Sequence, residues 1–81
     1  MEYTFENGLG ASVIDDGYGG RDGLFEIALL KAGSIVHNEA LGFQYGVKGW
    51  LTADEVSKVL TEISEFDVTN QEFSANPIWD N

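Results

Sequence analysis

The sequence predicts an α+β domain, in which an antiparallel sheet of three to four strands is followed by one amphipathic helix packed on one face. Two observations predict this class. The first half of the chain holds short segments in which apolar and polar residues alternate, and the second half holds one long segment with apolar residues three and four positions apart. Because strands and helices do not alternate along the chain, a parallel sheet is not expected. We place the domain at residues 1–67 and an irregular C-terminal tail at residues 68–81.

Four segments in the first half of the chain are predicted strands. The segment YTF alternates, and the Asn7-Gly8 pair that follows it is a strong hairpin-turn signal. The segment ASVI resumes the alternation. LFEIALLKA, residues 24–32, is the longest apolar run and predicts a central strand buried on much of both faces. After a tight turn at residues 32–34, SIVH can pair back as a fourth strand, and residues 38–49 then follow no period.

The segment WLTADEVSKVLTEISEF predicts the helix. Thr52, followed three residues later by Glu55, is a capping box, in which each side chain binds the backbone N–H of the other residue. Leu51 and Val56 occupy the positions of a hydrophobic staple. The helix is expected from about Ala53 to Phe66, and its apolar stripe comprises Val56, Val59, Leu60, Ile63 and Phe66. The last fifteen residues show no period, and Pro77 disfavours regular structure there.

The net charge limits the partners that the protein can bind. Fourteen acidic and four basic residues give a net charge of −10. Nucleic acid, an anionic membrane and phosphorylated substrates are therefore disfavoured as direct partners, and a basic protein surface is favoured. The simpler interpretation is that the charge only keeps the protein soluble. No apolar run approaches the roughly 20 residues of a membrane helix, and MEYTFENG does not resemble a signal peptide, so we expect a cytoplasmic protein.

The stretch DDGYGGRDG, residues 15–23, is rich in glycine and aspartate but does not match a ligand-binding loop. A helix–loop–helix calcium loop needs oxygen ligands at positions one, three and five. Counting from Asp15 or from Asp16 puts glycine or tyrosine at positions three and five. A phosphate-binding loop needs a lysine and a helix after the last glycine, whereas here Leu24 begins a strand. We therefore expect neither a metal nor a cofactor.

Catalysis is not expected from the remaining residues. The chain has one histidine, His37, and no cysteine, which excludes disulfides and thiolate metal sites. A nucleophile would have to be a serine paired with His37, and no spacing favours one serine over another. We assign no catalytic residue.

The candidate binding residues are acidic and aromatic. On the predicted helix, Glu55, Glu62 and Glu65 fall on one side, and seven helical residues span roughly 10 Å, which is comparable with phosphate spacings in nucleic acids. Such an array can imitate DNA, although a solvated helix face is the simpler interpretation. The other candidates are loop acids and aromatic residues able to anchor an interface or, alternatively, to pack internally: Asp15, Asp16, Asp22, Tyr18, Phe43 and Tyr45.

Two stretches, FENGLGASVIDDGYGGRDGLFEIALL and GWLTADEVSKVLTEI, resemble small proteins encoded by bacteriophages and prophages. They contain the patterns E-N-G-x-G-A-S-V, G-L-F-E-x-A and G-W-L-T-x-x-E-V, and the resemblance covers residues 5 to about 65. It supplies no catalytic residues. It implies a phage setting, in which small acidic proteins often inhibit host defence, including CRISPR effectors.

Two functional hypotheses follow from these observations. The first is a phage-type acidic inhibitor, such as an anti-CRISPR protein, that binds a basic nucleic-acid-binding surface of a host defence protein in the infected bacterial cell. The second is a non-enzymatic assembly module that forms a homodimer or larger homo-oligomer, either through an exposed strand edge or through the irregular aromatic segment.

Overall fold

One antiparallel sheet and one helix make up the fold. The computed structural model describes residues 1–15 and 23–75. Its elements are β1 (Glu2–Thr4), β2 (Leu9–Ile14), β3 (Phe25–Lys31), β4 (Ser34–Ile35), β5 (Val47–Leu51) and α1 (Ala53–Glu65). The strand pairings are antiparallel, β3 is the central strand, and the helix contacts β2, β3 and β5. This arrangement confirms the predicted α+β class.

Two short strands share one edge of β3. On the first side, β2 pairs over its whole length with residues 26–31 of β3, from Leu9 opposite Lys31 to Ile14 opposite Glu26, and β1 pairs with β2. On the other side, β4 pairs with residues 30–31 of β3 and β5 pairs with residues 25–28. The sheet is therefore four strands wide, and β4 and β5 together fill its last position.

Strand β5 corrects the prediction that residues 38–49 are irregular throughout. Phe25 and Ile27 are two residues apart in β3. Their pairing partners in β5, Leu51 and Lys48, are three residues apart. The extra residue is a β-bulge, and it interrupts the two-residue alternation by which a strand is recognised in a sequence. The bulge also gives Trp50 a positive φ of 60°.

Two hairpin turns among the described residues lie where the sequence predicts them. In the first, the backbone N–H of Gly8 donates to the carbonyl of Phe5 at 3.1 Å, and Gly8 has a φ of 91°, a conformation that favours glycine. Between β3 and β4, Ala32 and Gly33 have φ values of 54° and 82°. Two consecutive positive φ values are typical of a type I′ turn, whose twist matches that of the flanking strands.

The hydrophobic core lies between the sheet and α1. Leu9, Ala11, Ile27 and Leu29 come from β2 and β3, and Val59 and Ile63 come from α1. The chain between β4 and β5 completes the cluster with three further buried side chains, Val36, Leu41 and Phe43. This connection is mostly irregular in backbone conformation, but its side chains therefore cover one side of the core.

The ends of α1 are both capped by side chains. At its start, the Thr52 Oγ1 accepts from the backbone N–H of Glu55 at 3.2 Å, and the backbone N–H of Thr52 donates to the Glu55 Oε1 at 2.8 Å. The predicted capping box is thus confirmed. At its end, the Asn7 Nδ2 donates to the carbonyls of Ile63 at 2.7 Å and Phe66 at 3.1 Å.

Residues 66–75 contain no helix or regular strand and pack on the domain. Phe66, Val68 and Phe73 lie against the core, and Ser74 pairs with His37 through two backbone hydrogen bonds. The apolar residues Ile78 and Trp79 of the predicted tail lie outside the described residues.

Candidate functional site

An acidic groove lies beside the C-terminal end of α1. Its volume is about 530 Å³. Leu41 and Phe66 contribute apolar surface to the groove, and carboxylates come from Glu62 and Glu65 of α1 and from Asp67 just beyond it. We call this feature the acidic groove, and its other lining residues are Ala40, Thr69 and Gln71.

The electrostatic potential of the acidic groove is negative for two reasons. Glu62, Glu65 and Asp67 are all exposed carboxylates, and the C-terminal end of a helix carries the negative end of its dipole. The last turn of α1 contains no basic residue to offset either contribution. Lys58 is the only basic residue of the helix. A cation would therefore be attracted to the groove, whereas an anionic ligand would be repelled.

Asp67 keeps its charge to lower pH than an ordinary aspartate. The backbone N–H of Thr69 donates to the Asp67 Oδ1 at 2.9 Å. This hydrogen bond, together with one from the Thr69 side chain, lowers the pKa of Asp67 below its usual value. The carboxylate is thus held in its ionised form in a fixed turn beside the groove.

Three contacts position the apolar part of the acidic groove. The rings of Phe66 and Phe73 meet edge to face, with centroids 6.3 Å apart, and the backbone N–H of Phe66 donates to Ile63 at 3.2 Å. A hydrogen bond fixes the position of Leu41, because its backbone N–H donates to the side chain of the buried Asn38 at 2.9 Å. These contacts make the groove part of the folded core rather than a feature of a free tail.

The predicted acidic residues do not form one continuous surface. Glu62 and Glu65 line the acidic groove, whereas Glu55 lies at the other end of α1 with its carboxylate engaged in the capping box. Asp15 is exposed and lines a separate cavity of about 340 Å³ with residues of β1 and the start of α1. Asp16, Tyr18 and Asp22 lie outside the described residues.

The two described aromatic candidates have opposite environments. Tyr45 is 53% exposed, so its ring is accessible to a partner. Phe43 is fully buried in the core, and the Lys48 Nζ lies 4.9 Å from its ring centroid. The prediction of Phe43 as a surface anchor is therefore wrong, because the irregular connection folds inward to close the core.

The sequence did not indicate Asp67 or Leu41 as site residues. Asp67 follows the helix directly, and the Asp-x-Thr pattern at residues 67–69 is a signal for a turn closed by an aspartate side chain. Leu41 carries no such signal, since it approaches α1 only through the fold of the connection after β4.

Within residues 1–15 and 23–75, no three His, Cys, Asp or Glu side chains are grouped to hold a metal ion. His37 is half-buried, and its backbone is paired with Ser74. No helix in the described part of the chain is both long and apolar enough to cross a membrane.

Comparisons with protein-family models, curated proteins and solved structures gave no match.

Proposed function

We propose that the protein is a non-catalytic acidic inhibitor that binds and blocks a basic, nucleic-acid-binding surface of another protein. The observation that supports this proposal best is the acidic groove, in which three carboxylates lie beside apolar surface at the negative end of a helix. Lysine and arginine side chains combine an aliphatic stem with a charged end. Such a side chain could pack on Leu41 and Phe66 while its charge approaches Glu62, Glu65 and Asp67.

The phage setting implied by the sequence resemblance narrows the class of target. In that setting, the partner is a host defence protein that handles nucleic acid, with a CRISPR effector as the most concrete example. Its phosphate-binding surface would be rich in lysine and arginine. The acidic residues of α1 would compete with DNA or RNA for those side chains in the cytoplasm of the infected cell.

The test is inhibition of purified CRISPR effectors and restriction endonucleases in a DNA-cleavage assay. We expect the protein to inhibit at least one of them, to be displaced by excess DNA, and to bind less tightly as salt rises from about 50 to 500 mM, because salt screens the charges. Absence of inhibition across the panel, combined with failure to capture any DNA-displaceable protein from a bacterial lysate, would contradict the proposal.

Matched variants distinguish the acidic groove from the overall charge. Glu62→Gln with Glu65→Gln and Glu6→Gln with Glu39→Gln each remove two exposed negative charges, so both change the net charge from −10 to −8. We expect the first pair to weaken inhibition about tenfold or more, since it removes charges that face the partner, and the control pair to change it less than about twofold. Equal losses in both pairs would show that net charge, and not the groove, is responsible.

A further inference from the structure

The first hairpin turn contains a pair of residues that is chemically unstable in an open chain. Asn7 is the only asparagine followed by glycine in the sequence. The side-chain amide carbon of Asn7, Cγ, lies close enough along the chain to the backbone nitrogen of Gly8 for the two atoms to join in a five-membered ring. Glycine has no Cβ to crowd that nitrogen or to restrict the backbone around it. Asparagine is a thermolabile residue, and a following glycine makes this reaction easier.

The reaction needs only water. The backbone nitrogen of Gly8 loses its proton to solvent and attacks Cγ of Asn7, and the bond between Cγ and Nδ2 breaks as ammonia leaves. Water then opens the cyclic imide at either of its two carbonyl carbons. The product is aspartate or isoaspartate, in which the main chain runs through the side-chain carbonyl. One water is consumed, one ammonia is released, and nothing is oxidised or reduced.

In the folded chain, both reacting groups are held in other contacts. The N–H of Gly8 donates to the carbonyl of Phe5 at 3.1 Å, so a hydrogen bond retains the proton that must leave. The Asn7 Oδ1 accepts from the backbone N–H of Leu9 at 3.0 Å, and its Nδ2 donates to the carbonyl of Ile63 at 2.7 Å. Ring closure requires Cγ to rotate out of these bonds, so the native geometry opposes the reaction.

The contact that restrains the Asn7 amide lies at a helix end. Its Nδ2 bonds reach the carbonyls of Ile63, which is fully buried, and Phe66, which is half-buried. Gly8, in contrast, is exposed to water. Separation of the hairpin from the end of α1 would release Asn7 while the sheet stayed folded. Local opening of this kind costs less free energy than global unfolding.

We propose that Asn7-Gly8 is a site of spontaneous deamidation, which the contact with the end of α1 holds in check. The product carboxylate cannot donate to the carbonyls of Ile63 and Phe66, and the negative end of the helix repels it. The contact therefore does not close again in the same form. A transient opening becomes a permanent change that adds one negative charge next to the end of α1.

Peptide mapping of the full chain by mass spectrometry tests the proposal, with incubation at neutral pH in native buffer and in urea. We expect Asn7 to deamidate about tenfold or more slowly in native buffer, where only the opened state reacts. In urea, Asn7 should react before Asn38 and Asn70, which precede larger residues. Equal rates for Asn7 in the two conditions would overturn the protection by the fold. Absence of reaction at Asn7 in urea would overturn the site itself.

Three variants separate the chemistry of the site from the contact that restrains it. In urea, Gly8→Ala should slow the reaction about tenfold or more, because a Cβ crowds the attacking nitrogen. Ile63→Val and Ile27→Val each shorten a fully buried isoleucine, so both should lower global stability to a similar extent. In native buffer, Ile63→Val should speed deamidation several-fold more than Ile27→Val, since it loosens the end of α1. Equal acceleration would mean that global unfolding releases Asn7, and would overturn the role of the helix end.

The deamidated chain itself shows whether the opening becomes permanent. After separation by ion exchange, it should melt at a lower temperature than the unreacted chain at neutral pH, because the helix end has lost its donor and gained a repelling charge. An unchanged melting temperature would mean that the contact closes again and would contradict this consequence. No binding partner is involved, so the result is independent of the proposed inhibition.

Discussion

Asn7 is the residue that joins the first hairpin to the end of the helix. Its Nδ2 donates to carbonyls of the last turn, and its Oδ1 accepts from the backbone N–H of Leu9 at 3.0 Å. A single amide therefore satisfies groups at a helix end, where carbonyls have no partner within the helix. An asparagine that the sequence marks only as a turn residue also holds the acidic groove in place.

Substitution of Asn7 tests this double role. Asn7→Ala should lower the free energy of unfolding by about 1–3 kcal/mol through the lost hydrogen bonds. Asn7→Asp should cost more at pH 7, since a carboxylate cannot donate and is repelled by the negative helix end. Its pKa in the folded state would be raised, so its deficit should shrink as the pH falls through that pKa towards and below about 3.9. Urea denaturation at pH 7 and pH 3.5 measures both effects.

If the free energy of unfolding of Asn7→Asp matched that of wild type at pH 7, the cap at the end of α1 would not contribute to stability. Asn70→Gly is the control, because Asn70 is exposed and has a φ of 62° that glycine readily adopts.

At the scale of elements, the start of α1 contains an acidic side chain with a structural role. Glu55 lies on the acidic side of the helix, yet its carboxylate accepts from the backbone of Thr52. Glu55→Gln would remove the charge of this side chain and keep its hydrogen bond, because glutamine also completes a capping box.

Thr52→Ala should lower the free energy of unfolding by about 1 kcal/mol. Glu55→Ala should have a smaller effect of the same sign, while Glu55→Gln should stay within about 0.5 kcal/mol of wild type. A double-mutant cycle between residues 52 and 55, followed by thermal denaturation, measures the coupling. Strictly additive effects would mean that the two hydrogen bonds form independently rather than as a box.

The segment after α1 is held by a second side-chain amide, that of the buried Asn38. Asn38 is 6% exposed, and its Nδ2 donates to the carbonyl of Glu72 at 3.1 Å. Its Oδ1 accepts from Leu41, so the same side chain links the connection after β4 to residues 66–75. Asn38→Ala should cost about 2–3 kcal/mol, because it leaves buried backbone groups without partners.

The loss of local stability in Asn38→Ala should be largest near the hydrogen bond between Asn38 and Glu72. We expect faster hydrogen exchange and faster proteolysis within residues 66–75 than in β2 or β3 under native conditions. Uniformly faster exchange in all elements would instead show that Asn38 stabilises the whole fold rather than this segment.

At the scale of the whole molecule, the acidic groove and α1 lie on the same side of the sheet. The net charge of −10 opposes folding as well as association.

Added salt should consequently stabilise the monomer. The Debye length falls from about 30 Å at 0.01 M to about 3 Å at 1 M, so the repulsion among acidic groups weakens. A rise in the melting temperature of roughly 5 °C would correspond to about 1 kcal/mol for a domain of this size. Measurement at about 1 µM protein keeps any contribution from self-association small. A melting temperature that falls with salt would mean that attractive pairs outweigh the repulsion.

The sequence by itself determined the fold class, the start and length of α1 and both hairpin turns. These features depend on contacts between residues close in the chain, such as Thr52 with Glu55 or Gly8 with Phe5, so their residue types identify them directly. The acidity of Glu62 and Glu65 was also evident from the sequence.

Tertiary structure alone decided which of those acidic residues share a groove and which aromatic residues are exposed. Asn7 and Ile63 are 56 positions apart, and the burial of Phe43 follows from how the connection after β4 closes over the core. The bulge in β5 moved Trp50 out of the alternating pattern. Long-range contacts of this kind leave no period in the sequence, because each depends on where several elements meet rather than on the residues beside it.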